Sequence, residues 1–186
     1  PHQPRLIRRQ RQMCIRDSPY VSSINLKLHE FTKAVISSSG KRRWGAKSVE
    51  EREYLPPTID WVRKQVEVYE ATNGEKGYTL LDTGMPCIIV THVGRNTGAI
   101  RKIPLMRVKS NDSYVLIGSM GGQPQNPVWV YNLRARSDVE IRDKDEVSEM
   151  IVREVTDPEE RERLWDLSVA TYPPYADYQA KTERVI

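Results

Sequence analysis

Apolar positions change their period several times along this chain, and each change predicts an element. From Ser18-Pro19 to Ser39, Val21, Ile24, Leu28, Phe31 and Val35 recur at helical spacing, and Ser37-Ser38-Ser39-Gly40 then supplies a flexible stop. This predicts an amphipathic N-terminal helix. Lys41 to Pro57 is charged and closes on Pro56-Pro57, as a linker does. Thr58 then stands where it can cap a second helix carrying Ile59, Val62, Val66 and Tyr69 on one stripe, ended by Asn73-Gly74.

Beyond Pro86 the pattern becomes that of strands. Cys87-Ile88-Ile89-Val90 is a short continuous apolar run, which fits a buried strand. Gly94-Arg95-Asn96-Thr97-Gly98 marks a hairpin whose glycines can take positive φ, and it leads into a second strand from Arg101 to Lys109. Asn111-Asp112-Ser113 turns the chain into a third strand, Tyr114 to Ser119. Asn126-Pro127 reads as a cap and first-turn pair opening a helix with Val128, Trp129, Tyr131, Asn132 and Leu133. Val139–Ile141 and Val147–Val155 predict two more strands around Asp143-Lys144-Asp145. Asp157-Pro158-Glu159-Glu160 is a capping-box helix start, with Trp165, Val169 and Tyr172 on its stripe. About five antiparallel strands with flanking helices give the α+β class and a closed or partly closed β-barrel.

Charge refines the picture through its location. The net charge of +4 resides in residues 1–18, where five arginines face Asp17 alone. That stretch has no apolar periodicity and reads as a disordered basic arm or as non-native sequence. The remainder is neutral overall but segregated: Gly84–Arg136 carries a local +6, and Ser137 onward carries −7. A central basic segment suits a small anionic ligand better than a nucleic-acid duplex. Cys14 and Cys87 form no CxxC pair, and His2, His29 and His92 are scattered, so a disulfide framework or metal site has no foothold. No run reaches the roughly eighteen apolar residues of a spanning helix, and no secretory h-region is present, which together predict a cytoplasmic protein. GxGxxG, GxSxG and the P-loop spacing are all missing, so Rossmann, hydrolase and nucleotide-triphosphate readings lack support.

Three segments can carry chemistry. The 94–98 hairpin with Arg101 and Lys102 gathers cations, a hydroxyl and main-chain donors, a cradle for phosphate or carboxylate unless it is simply an exposed basic turn. Ser119-Met120-Gly121-Gly122 ends a strand at glycines that admit close approach, ahead of a helix start whose free N–H groups favour anions. Trp129 and Tyr131 in that helix can wall a planar ring or serve the core. Tyr172-Pro173-Pro174-Tyr175-Ala176-Asp177-Tyr178 places three phenols beside a proline-fixed turn, either as hydrogen-bond and proton donors or as packing.

In order, TxxGRxTGxxRxxPL, SxGGxxxNPxWxxNL and YPxYxDYQ resemble the deazaflavin (coenzyme F420)-dependent nitroreductase family of mycobacterial type, over roughly Pro86 to Arg184. The resemblance implies a split β-barrel of five to six strands over 58–186, preceded by a helix and linker over 19–57. It also implies coenzyme F420, with FMN as the alternative, and hydride transfer to a small electrophile: a quinone, an activated alkene or a nitroaromatic. A non-catalytic coenzyme carrier of the same fold is a further alternative. The implied coenzyme contacts are Arg95, Asn96, Thr97, Arg101, Lys102, Ile103, Pro104, Ile117, Gly118, Ser119, Met120, Val128, Trp129, Val130, Tyr131, Asn132 and Tyr175. The implied catalytic groups are Tyr175, Ser119, Tyr172 and Tyr178. Arg95 and Arg101 are the expected partners of the coenzyme's phosphate and polyglutamate. Met120 replaces a residue that is often basic in the family, and Met106 one that is commonly aromatic in the nitroreductase, which weighs against nitroaromatic activity. Membrane contact, known for an N-terminal helix of the family, has little apolar support in Ser18–Ser39. The arginine-bearing turn and the glycine-ended strand are expected to converge on one pocket.

Overall fold

A computed structural model describes residues 51–186, together with the backbone of two short strands, β1 (Arg43–Trp44) and β2 (Lys47–Ser48). The expected arm at 1–18 and the helix predicted within 18–39 lie outside the described residues.

Helix α1 (Asp60–Ala71) buries Val62, Val66 and Tyr69 of the stripe predicted from spacing, while Ile59, the fourth member, is exposed. Its start differs from expectation. Ile59 occupies the cap position without a side-chain bond, and Asp60 in the first turn supplies the negative charge that the helix dipole favours. Tyr69 ties the helix to the sheet: its hydroxyl donates to the Cys87 carbonyl (3.2 Å) and accepts from the Lys144 N–H (2.7 Å).

Strands β3 (Cys87–Val93), β4 (Ile100–Met106), β7 (Asp138–Asp143) and β8 (Glu146–Ile151) form an antiparallel sheet in the order β4-β3-β7-β8. The central strand β3 is buried along its whole length, which is why it reads as one apolar run. Its two faces serve different layers. Ile88 and Val90 join Val139 and Ile141 against Trp129 and Leu133 of helix α2 (Val128–Ala135), whereas Cys87 and Ile89 pack on Val66 and Tyr69 of α1.

The third predicted strand is largely absent. Only Ser113–Tyr114 (β6) pairs, with Lys109–Ser110 (β5), and Val115 N–H makes one further bond to the Val108 carbonyl at 2.8 Å. Leu116 to Ser119 continue outside any ladder. The described residues thus give an α+β structure with a four-stranded sheet and no closed barrel. The capping predicted at Asp157 is present, since its Oδ1 accepts from Glu160 N–H at 2.8 Å and opens helix α3 (Pro158–Thr171). The reciprocal half of the box is replaced, because the Glu160 carboxylate binds Arg153. Helix α4 (Pro174–Ala180) follows. No described helix is long and apolar enough to cross a membrane.

Candidate active site

The turn between β3 and β4 is built from main-chain bonds. Gly94 N–H donates to the Ala99 carbonyl and Gly98 N–H to the Gly94 carbonyl, both at 2.8 Å. Gly98 takes φ +68°, and a side chain at Gly94 would come within 2.9 Å of Thr97 Oγ1, so both glycines are needed for different reasons. Thr97 Oγ1 accepts from Ala99 N–H at 3.3 Å and closes the turn. Arg95, Asn96 and Thr97 stand exposed at its tip.

Helix α2 carries this turn. Arg95 N–H donates to Asn132 Oδ1 (3.1 Å), and the Arg95 guanidinium lies 5.1 Å from the centre of the Tyr131 ring. On the same helix, Val130 sits where a Cβ on Gly118 would be 3.1 Å away, so the glycine admits the close approach of the 116–119 segment. The expected convergence is therefore partial. Turn and glycine-ended segment rest on adjacent residues of α2, but they open into different clefts. One, of about 850 Å³, has Ile117, Gly118, Trp129 and Val130 in its wall. The other, of about 500 Å³, lies between Glu51–Glu53, Thr97–Ala99 and Arg136.

Alternation in β4 separates residues that were expected together. Arg101 and Ile103 pair with His92 and Val90 on the α2 face, while Lys102 and Pro104 pair with Thr91 and Ile89 on the α1 face. Lys102 is occupied there: its ammonium lies 2.6 and 2.8 Å from the Glu70 carboxylate. Asn132 is likewise engaged inside the fold, Val128 is exposed, and Trp129 is core. Arg107, Arg134 and Arg153 are paired with Asp143, Glu154 and Glu160. Among the described residues no carboxylate pairs with Arg95 or Arg101; the nearest partner of Arg101 is the Leu55 carbonyl at 3.4 Å.

The tyrosines gather on the other side of the glycine pair. Tyr172, Tyr175 and Tyr178 have ring centres 5.2 to 6.4 Å apart, and the Tyr172 and Tyr178 hydroxyls are 3.5 Å apart. Tyr175 is buried with Met106 and Val108, and Ile117 packs on that cluster. Burial, reinforced by the two neighbouring phenols, pushes its hydroxyl well above the usual tyrosine range. The hydrogen bond with Tyr178 raises Tyr172 as well, with burial adding to it. Helix α4 presses against the turn at Met120–Gly122: a Cβ on Gly122 would fall 2.6 Å from the Tyr178 carbonyl. Ser119 precedes that turn, and the exposed Met120 within it takes φ +46°.

Arg184 holds the segment that follows. Its guanidinium donates to the carbonyls of Ser119 (2.8 Å) and Gln123 (3.0 Å) and to Asn126 Oδ1 (3.1 Å). Asn126 was expected to cap α2; its side chain serves this fork instead, and Pro127 takes the cap position. Arg184, His92 and Arg136, which brace or line these segments, were not singled out by sequence reasoning. For Arg184 no local signal exists, because its acceptors lie 58 to 65 residues away.

A model of the family described as F420H(2)-dependent quinone reductase matches residues 61–186. The chain belongs to that family. The F420H(2)-dependent quinone reductase Rv1261c of Mycobacterium tuberculosis is 30% identical over 132 residues, covering 69% of this chain and 87% of the relative. A solved structure described as F420-H2 dependent reductase (FDR-A) is 43% identical over 54% of this chain and 89% of its own, with a TM-score of 0.51. Another, described as a domain-swapped dimer, is 41% identical over 68% of this chain and 93% of its own, with a TM-score of 0.54. As an F420H(2)-dependent quinone reductase by family, the chain is an oxidoreductase whose cofactor is F420. The exposed arginine turn fits the acidic end of that cofactor on charge, since Arg95 and Arg101 have no carboxylate partner among the described residues.

Proposed function

We propose that this protein transfers hydride from reduced F420 to a quinone. The observation that carries the reading is the state of two neighbouring arginines: Arg95, exposed at the tip of the β3–β4 turn, and Arg101, at the start of β4, have no carboxylate partner among the described residues, whereas Lys102 beside them is paired with Glu70. Guanidinium groups poised this way suit phosphate and carboxylate, the anionic groups of the cofactor. F420, when bound, supplies a two-electron hydride donor. The chain's own work is positioning, water exclusion and handling of one proton.

Arg95, Asn96, Thr97 and Arg101 grip the acidic portion in this reading, with Ile117, Gly118, Ser119, Met120, Val130 and Tyr131 nearer the ring. Lys102 and Pro104, on the opposite face of β4, support the turn without touching the cofactor. Ser119 and the tyrosines hydrogen-bond the acceptor oxygen. The Tyr172 and Tyr178 hydroxyls lie 3.5 Å apart and are more exposed than Tyr175, so they are better placed to return it; Tyr175 orients the pair. An enone presents the same carbonyl oxygen and ranks as the second acceptor class. Nitroaromatics rank last, given Met106 and Met120.

The test is titration of F420 and of FMN into the protein with fluorescence readout, followed by turnover of reduced F420 with a quinone. Selective F420 binding with quinone-dependent oxidation supports the reading. FMN preference points to a flavin enzyme, and binding without turnover points to a carrier; either result overturns it.

A further inference from the structure

The turn that bears Arg95 is tied to helix α2 by one buried side chain, and the orientation of that side chain is set by another. Asn132 is 6% exposed and His92 3%. Arg95 N–H can only donate, so the Asn132 atom facing it at 3.1 Å is the carbonyl oxygen Oδ1. The amide nitrogen Nδ2 then points at His92 Nε2, 3.2 Å away. An amide nitrogen can only donate as well, so Nε2 must accept and the imidazole must be neutral with its proton on Nδ1. Nδ1 interacts with the Val90 main chain, outside ordinary hydrogen-bond geometry.

We infer that His92 and Asn132 are positioning residues that fix the Arg95 turn for anion binding: the neutral imidazole orients the Asn132 amide, and the amide anchors the Arg95 main chain. The inference rests on the reading of that turn as the grip for the acidic end of F420. Among the described residues no other hydrogen bond holds the Arg95 main chain, and its side chain contributes the contact over Tyr131. Losing the acceptor at His92 leaves Asn132 free to rotate, and the turn loses its anchor even though neither residue reaches the ligand.

Hydrogen exchange of the Arg95 amide in the ligand-free protein, resolved by NMR, reads the anchor directly, with the Val90 amide in the β3 ladder as the control for global opening. His92→Leu keeps the site buried and removes the acceptor; His92→Gln can place a carbonyl oxygen near the position of Nε2. On loss of a buried polar partner, His92→Leu is expected to speed Arg95 exchange roughly tenfold and to weaken F420 binding roughly tenfold. Val90 exchange stays unchanged, and His92→Gln restores both protection and affinity. Unchanged Arg95 exchange in a folded His92→Leu protein overturns the anchor. Faster exchange with unchanged F420 affinity overturns its link to binding. A wild-type protein that does not bind F420 refutes the functional reading, while the exchange arm still decides the anchor.

Discussion

Replacing Arg184 by Met removes three hydrogen bonds while keeping most of the side-chain stem, so it isolates what the guanidinium does. The acceptors are the carbonyls of Ser119 and Gln123 and Asn126 Oδ1, at 2.8, 3.0 and 3.1 Å. The bond to Gln123 is exposed and counts for little, while the other two are part-buried. With hydrogen bonds to charged groups at about 1.5–3 kcal/mol each and a discount for solvent access, the expected loss is about 2–3 kcal/mol. For a domain of this size that lowers Tm by about 4–10 °C. A second effect is local. The Ser119 carbonyl also accepts from Gly122 N–H at 2.9 Å, so the turn that packs on helix α4 at Gly122 loosens with the fork. Thermal unfolding read beside the KM for the quinone distinguishes the two. Arg184→Met is expected to lower Tm and raise KM, with Arg184→Lys recovering less than half of each because an ammonium cannot span three separated acceptors. A Tm within about 1 °C of wild type, together with an unchanged KM, refutes the reasoning.

Burial holds the His92 ring near a pKa of about 4, against 6.5 ordinarily, with the Arg101 charge pushing the same way and the Val90 main chain opposing. The unfolded chain therefore takes up a proton at His92 near pH 6.5, and the folded chain does so only near pH 4. Stability from this group is full above pH 6.5 and falls by about 3 kcal/mol as pH drops to 4. Urea unfolding across that window checks it: His92→Gln should flatten the slope, and an NMR titration midpoint near 6.5 would sink it. Gly122→Ala, at φ +84° and 2.6 Å from the Tyr178 carbonyl, should cost about 3 kcal/mol, whereas Gly121→Ala, at φ +66° in open space, should cost about 1 kcal/mol; equal losses would contradict the close approach of α4. Tyr172→Phe and Tyr178→Phe should each lower kcat more than Tyr175→Phe, which should act mainly on KM and stability; the reverse ranking in steady-state kinetics would return the proton-donor role to Tyr175.

Helices and central strands were legible wherever burial is one-sided or complete. Val62, Val66 and Tyr69 face the sheet because their spacing allows nothing else, and Cys87 to Val90 is apolar because β3 is covered on both faces. The strand predicted at Tyr114 to Ser119 failed because hydropathy reports burial and not pairing. Val115, Leu116 and Ile117 are partly buried against side chains, yet only Val115 among them makes a main-chain bond outside the β5–β6 pair. At the candidate site, the motif reading merged the two faces of β4. Lys102 looks like a ligand-binding cation in sequence and is a salt-bridge partner of Glu70 in space. His92 and Arg184 act through partners tens of residues away, and no local pattern encodes such contacts.

The central claim is that the uncompensated arginines of the 94–101 turn hold F420 for quinone reduction. Its most direct measurement is the rate at which a quinone restores deazaflavin fluorescence from reduced F420, compared between wild type and Arg95→Gln over a range of cofactor concentrations. A quinone-dependent rate whose half-saturating F420 concentration rises roughly tenfold or more in Arg95→Gln, with little change at saturation, is the predicted result. Equal half-saturation in the two proteins, or no quinone-dependent rate in wild type, would contradict the account.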